Sequence, residues 1–156
     1  MNSTKPKRIQ LTSEGYQKFE KDFQHLTLKR KEVLIRLQGA REMGDLSENG
    51  AYKAARFELG SIDRELRRLM YILKMGTVVP KASKRTIVDF GSQVTVENGP
   101  NQLTFTLVSE YESDPRKQKL SIESPLGKEI MGKKIGERVT VHAPSGEKLY
   151  LIVKVE

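Results

Sequence analysis

The sequence predicts an α+β fold: an N-terminal antiparallel α-helical coiled-coil hairpin, then a small antiparallel β-sheet domain with one short helix. Three observations on the 156-residue chain predict it. Apolar residues in the first half recur every three and four positions, which is the period of a helix seam. Those in the second half alternate every two, the period of a strand. Between the halves, "TVVPKASKR" follows neither period and carries a proline, so the domains are placed at residues 1–78 and 79–156.

The first arm has its seam at Tyr16, Phe19, Phe23, Leu26, Arg30, Val33, Leu37 and Ala40, where only Arg30 is not apolar. Arg30 either pairs with an acid on the other arm or runs its charged head outward. The second arm repeats the rhythm with Tyr52, Ala55, Leu59, Ile62, Leu66, Leu69 and Leu73. A break too short for a parallel return makes an intramolecular antiparallel hairpin the simplest pairing. Thr12 suits the N-cap of the first arm and Gly76 the C-terminal cap of the second. An arm from Thr12 to Met43 would be roughly 48 Å long at about 1.5 Å per residue, so its tip, residues 44–49, is expected to project.

In the second half, Val94 and Val96, a turn at Asn98-Gly99, and then Leu103, Phe105 and Leu107 read as a β-hairpin. "KLSIE" and "RVTVHA" are further short strands, and "PSGE" turns the chain into a final alternation of Leu149, Leu151, Val153 and Val155. Ser124 followed by Pro125 is an N-cap and first-turn pair, and Gly132 ends the single short helix they open.

Composition narrows the function classes. Lys and Arg number 28 against 20 Asp and Glu, a net charge of +8, which suits a phosphate-rich or carboxylate-rich partner. The excess lies mainly in residues 1–76, which hold sixteen basic residues against ten acidic ones. No apolar run approaches the roughly 20 residues of a membrane span, and the basic start "MNSTKPKRIQ" has no apolar stretch behind it, so no membrane and no signal peptide are expected. The absence of cysteine removes disulfides and thiolate metal sites and fits a reducing compartment, with the cytoplasm as default. His25 and His142 form no ligand cluster or triad with other residues, and no glycine-rich phosphate loop is present.

"MGDLSEN", Met43 to Asn49, interrupts the helical pattern, and two readings of it stand side by side. In one, Gly44 ends the first helix and "DLSE" is a capping box, with Asp45 as N-cap and Glu48 reaching back to it. In the other, Asp45 and Glu48 are hard oxygen ligands displayed for Mg²⁺, an ion that typically takes one or two carboxylates from a protein. Two ligands do not hold Mg²⁺ alone, so another macromolecule would complete the site. Leu46 is an apolar side chain on a turn, which capping does not explain.

"ARxxGDLSEN", with Tyr52 and "AAR" at Ala54 to Arg56 after it, resembles the tip motif of the GreA/GreB family of bacterial transcript cleavage factors, with GreA-like members the nearer comparison. The likeness covers nearly the whole chain, including "LTSEGYQKFEKDFQHL" at the start and "SPLGKEIMGKKIGERVTVHAPSGE" near the end. Gly50 and Ala51 depart from the Ala-Glu pair frequent there, and a glycine loosens a first helical turn. The resemblance implies a C-terminal domain of FKBP-like fold and a monomeric factor that is not itself an enzyme. It implies bacterial RNA polymerase as partner: the hairpin enters the secondary channel and the C-terminal domain docks at the rim. Asp45 and Glu48 would then help hold the second Mg²⁺ and the attacking water while the polymerase cleaves backtracked RNA, with no cofactor bound by the factor alone. Arg41, Leu46, Ser47, Asn49, Lys53 and Arg56 would lie around the tip and the nascent RNA 3′ end. Ser47 either orients the water or continues the turn, Asn49 meets either the channel or its own helix, and Tyr52 packs in the seam. The alternatives are a regulatory channel binder that does not promote cleavage, a prolyl isomerase, and a chaperone-like hairpin.

Overall fold

The computed structural model describes residues 7–45, 48–81 and 85–156. The chain divides into two compact units, Tyr16–Met75 on one side and the residues up to Gly15 with Gly76–Glu156 on the other.

The helical unit is built from α1 (Ser13–Glu42) and α2 (Gly50–Met75). Thr12 caps α1 as expected: its hydroxyl oxygen accepts from the Gly15 amide at 3.0 Å. At 30 residues α1 is about 45 Å long, close to the length expected from its periodicity. Val33 and Leu37 of α1 interdigitate with Ala55 and Ile62 of α2, and Leu26, Tyr52, Leu59 and Leu66 flank them. Residues early in one helix thus meet residues late in the other, which makes the pair antiparallel. Near its end the seam departs from the even rhythm, because Ile72 is fully buried where Leu73 was expected and Leu73 is half-buried.

Arg30, the polar seam position, takes the first of its two expected courses: its Nε donates to Asp63 Oδ1 on the other arm at 2.6 Å. Glu58 accepts from Arg36 at 2.7 Å and lies 3.3 Å from the Lys29 ammonium. Ion pairs this exposed contribute little energy. Their effect is on register, since each is formed in only one alignment of the two arms.

The other unit holds a five-stranded sheet in the order β5-β4-β3-β7-β6, made of β3 (Gln93–Asn98), β4 (Asn101–Val108), β5 (Lys119–Ser121), β6 (Arg138–Ala143) and β7 (Gly146–Val155). The β3–β4 hairpin turns at Gly99, whose φ of +57° suits glycine. Helix α3 (Pro125–Ile130) starts where expected, with Ser124 Oγ accepting from the Gly127 amide. Its Ile130 joins Val94, Val96, Phe105, Leu107, Val139, Ile152 and Val155 in one apolar core.

This unit departs from expectation in three places. The sheet is antiparallel except that β5 runs parallel to β4. The alternation expected of β7 is broken by a bulge: Thr95 faces Lys154 but Val96 faces Ile152, so Val153 is the extra residue. A bulge moves the following side chains to the opposite face. Ile152 and Val155 therefore enter the core, while Leu149 is 53% exposed. Gly76 does not cap α2. It opens a strand, β2 (Gly76–Val78), that pairs in parallel with β1 (Ile9–Leu11).

The root of α1 is held within this unit by Glu112. Its carboxylate accepts from the Thr12 amide at 3.0 Å and from the Thr12 hydroxyl, and it is nearly buried. A Cβ on Gly15 would come within 1.9 Å of Glu112 Oε1, so this glycine gives the carboxylate room to reach the helix start.

Two outcomes follow for stability. Ile62→Ala removes a buried seam side chain and is expected to cost about 2–4 kcal/mol, while Leu28→Ala, at a position 61% exposed, stays within about 0.5 kcal/mol of wild type. Urea titration followed by the helical circular dichroism signal measures both. The second outcome concerns acid. The hydrogen bond from Arg36, with help from Lys29, holds the Glu58 carboxyl below its ordinary value of 4.5. The unfolded chain then takes up this proton at a higher pH than the folded one, so the contribution is present above that value and lost as pH falls below it. The thermal midpoint of the helical signal should drop through this range, and Glu58→Gln should drop less steeply.

Candidate functional site

The tip is the connection between α1 and α2. Helix α1 ends at Glu42, the Met43 amide reaches the Ala40 carbonyl at 3.3 Å, and Gly44 turns the chain with φ +111°. A side chain at that φ would be strained, so the glycine is required by the turn. Asp45 and Glu48 both follow the turn and precede α2, and both are exposed. Leu46 and Ser47, also expected at the tip, lie outside the described residues.

The capping box expected of "DLSE" does not start the second helix. Helix α2 begins at Gly50, and the residue before it, Asn49, is its cap: Oδ1 accepts from the Tyr52 amide at 3.1 Å, and the Asn49 carbonyl accepts from the Lys53 amide at 3.1 Å. Asparagine ranks with aspartate and serine among the best N-caps, so the signal was present in the sequence one residue beyond Glu48. The same side chain also faces back: Asn49 Nδ2 donates to the Ala40 carbonyl of α1 at 2.8 Å. Of the two contacts expected for Asn49, the one within the hairpin is formed, and it reaches both helices.

The remaining tip residues divide by contact. The Arg41 guanidinium lies over the Tyr52 ring, 5.8 Å from its centre, so a cation in the last turn of α1 is held by an aromatic in the first turn of α2. Tyr52 is half-buried against the seam cluster, as expected. Lys53 and Arg56 are exposed on the first turns of α2, on either side of buried Ala55.

Chemically, the connection offers two exposed hard carboxylates, with the basic residues Arg41, Lys53 and Arg56 close by in sequence. Among the described residues, no group of three or more His, Cys, Asp and Glu is placed to hold a metal ion. A divalent ion at Asp45 and Glu48 would take the rest of its coordination from elsewhere. Among the described residues, no helix is long and apolar enough to cross a membrane.

Two family models divide the chain between them. Residues 9–78 match the N-terminal domain of transcription elongation factors, and residues 82–156 match the GreA/GreB C-terminal domain. Both describe transcription elongation factors, and that is the class this hairpin and sheet define. Transcription elongation factor GreA of Bacillus subtilis is 37% identical over 148 residues, covering 93% of this chain and 94% of that protein. GreA of Thermotoga maritima is 38% identical over 154 residues, covering 96% and 97%. A crystal structure of GreA factor homolog 1 from Thermus thermophilus aligns at 24% identity with a TM-score of 0.46, covering 96% of this chain and 99% of that one. The chain belongs to the GreA/GreB family of transcription elongation factors.

The contact between Arg41 and Tyr52 has a measurable size. Tyr52→Phe keeps an aromatic face and should leave hairpin stability within about 0.5 kcal/mol. Tyr52→Leu, which keeps an apolar side chain but loses that face, should cost about 0.5–1 kcal/mol more, read by urea titration.

Proposed function

We propose that this factor binds bacterial RNA polymerase, inserts its hairpin tip into the secondary channel, and stimulates the polymerase's own cleavage of backtracked RNA. The observation that carries this reading is the placement of Asp45 and Glu48. Both are exposed in the short connection between two helix ends, three positions apart and beyond the glycine that turns the chain. Exposed carboxylates at the end of a hairpin are within reach of a partner's metal site.

The donor set fits Mg²⁺, which favours carboxylate oxygens and keeps coordination positions for other groups. When shared with the polymerase, that ion would supply charge stabilisation and an activated water for phosphodiester hydrolysis. Asp45 and Glu48 would hold it from the factor's side and orient the water. The polymerase remains the nuclease, and the factor contributes ligands. Lys53 and Arg56, exposed just behind the connection, would neutralise phosphates of the extruded RNA 3′ segment, and Arg41, fixed over Tyr52, would present its charge from the other arm. Leu46 and Ser47 belong to the same proposed contact surface. The sheet unit would dock at the rim of the channel.

Arrested, backtracked elongation complexes provide the test. Wild-type factor should release short RNA 3′ fragments. Asp45→Ala and Glu48→Ala should still compete for polymerase while slowing cleavage by about 100-fold, the scale on which loss of one preorganised charged group acts. Unchanged cleavage in both variants would rule out ligand donation. Wild-type binding without cleavage would make the factor a regulatory occupant of the channel, and no binding would remove the polymerase as partner.

A further inference from the structure

We infer that Asn49 is a positioning residue for the tip carboxylates: its side-chain amide fastens the end of α1 to the start of α2 and so closes the loop that carries Asp45 and Glu48. The inference rests on the proposed function, because it concerns how those two carboxylates are presented.

The case begins with the hydrogen-bonding needs of two helix ends facing each other. The last carbonyls of a helix and the first amides of the next have no partners inside their own helices. Asn49 serves one of each with a single group, accepting from the Tyr52 amide at 3.1 Å and donating to the Ala40 carbonyl at 2.8 Å. Ala40 is buried in the seam, so that carbonyl belongs to a fixed part of α1. The connection that carries Asp45 and Glu48 is therefore tied at both ends, to α1 through the Ala40 carbonyl and to α2 through the Tyr52 amide, and Gly44 supplies a turn after α1.

Side-chain chemistry makes the choice of residue specific. An amide has both an acceptor oxygen and donor hydrogens, and both are used. Aspartate would cap α2 equally well but would set an acceptor against the Ala40 carbonyl, and serine would cap without the reach to fasten. A helix cap alone would accept any of the three; a clasp requires the amide. The Arg41 contact with Tyr52 ties the same two turns together on a second path. A ligand pair held in place binds its ion without first ordering the loop, so loss of the clasp should weaken the response to Mg²⁺ more than it weakens docking.

The test uses the full chain with Asn49→Ser, Asn49→Asp and, for reference, Asp45→Ala. In the free factor, amide NMR should show the Tyr52 amide still protected from exchange in Asn49→Ser, while the amides of Gly44, Asp45 and Glu48 gain fast motion. With backtracked complexes, Asn49→Ser and Asn49→Asp should need about 10-fold more Mg²⁺ for half-maximal cleavage, the usual cost of losing a group that orients a ligand. Saturating Mg²⁺ should restore most of the rate, and competition for polymerase should match wild type. A merely structural role would lower stability and leave the Mg²⁺ dependence alone. Wild-type Mg²⁺ dependence in both variants, or loop amides as ordered as before, would overturn the inference. So would a loss of polymerase affinity that Mg²⁺ does not restore, which would make Asn49 a direct contact. Should wild type and Asp45→Ala behave alike in cleavage, the functional reading fails, and the NMR result still decides whether the clasp exists.

Discussion

The helical unit depends on the seam between α1 and α2. Val33, Leu37, Ala55 and Ile62 are buried only because each arm covers the other, and much of the remaining surface of both helices is charged. Isolated helices draw little stability from propensity alone, so most of what holds these two comes from packing one apolar stripe on another. At the connection, the Asn49 amide bonds to Ala40 and Tyr52, the seam positions that flank it on the two helices.

The contacts that align the hairpin lie away from its connection. The polar contacts that fix the hairpin's alignment, Arg30 with Asp63 and Glu58 with Arg36 and Lys29, lie along the arms. The cap of α2 is a neutral amide, Asn49, and the acids Asp45 and Glu48 stand exposed ahead of it. The other unit shows the opposite use of a carboxylate. Glu112 is nearly buried and committed to the start of α1, and Gly15 gives way to admit it.

How much was legible in the sequence can be seen element by element. The helical seam, the cap at Thr12, the β3–β4 hairpin and the Ser124-Pro125 start of α3 are local patterns of a few residues, and the structure has each of them. At the tip, the helix break and the acids are legible from "MGDLSEN", but the pattern alone points to Asp45 as the cap. Aspartate and asparagine cap equally well, and only the position of the facing helix end favours the residue that can also donate.

The sequence by itself determined the two periodicities, the order of the halves, and the residue types available at the turn, because these follow from the spacing of side chains along one chain. Tertiary structure alone decided which partner each element found. The parallel pairing of Ile9–Leu11 with Gly76–Val78 joins segments far apart in sequence, and it takes Gly76 from helix cap to strand. The bulge that turns Ile152 inward and leaves Leu149 outside depends on the register against β3, which no pattern within β7 specifies. The double contact of Asn49 has the same origin. One side of it is a cap that a short stretch of sequence can announce, and the other is a carbonyl that comes within reach only when the two helices pack.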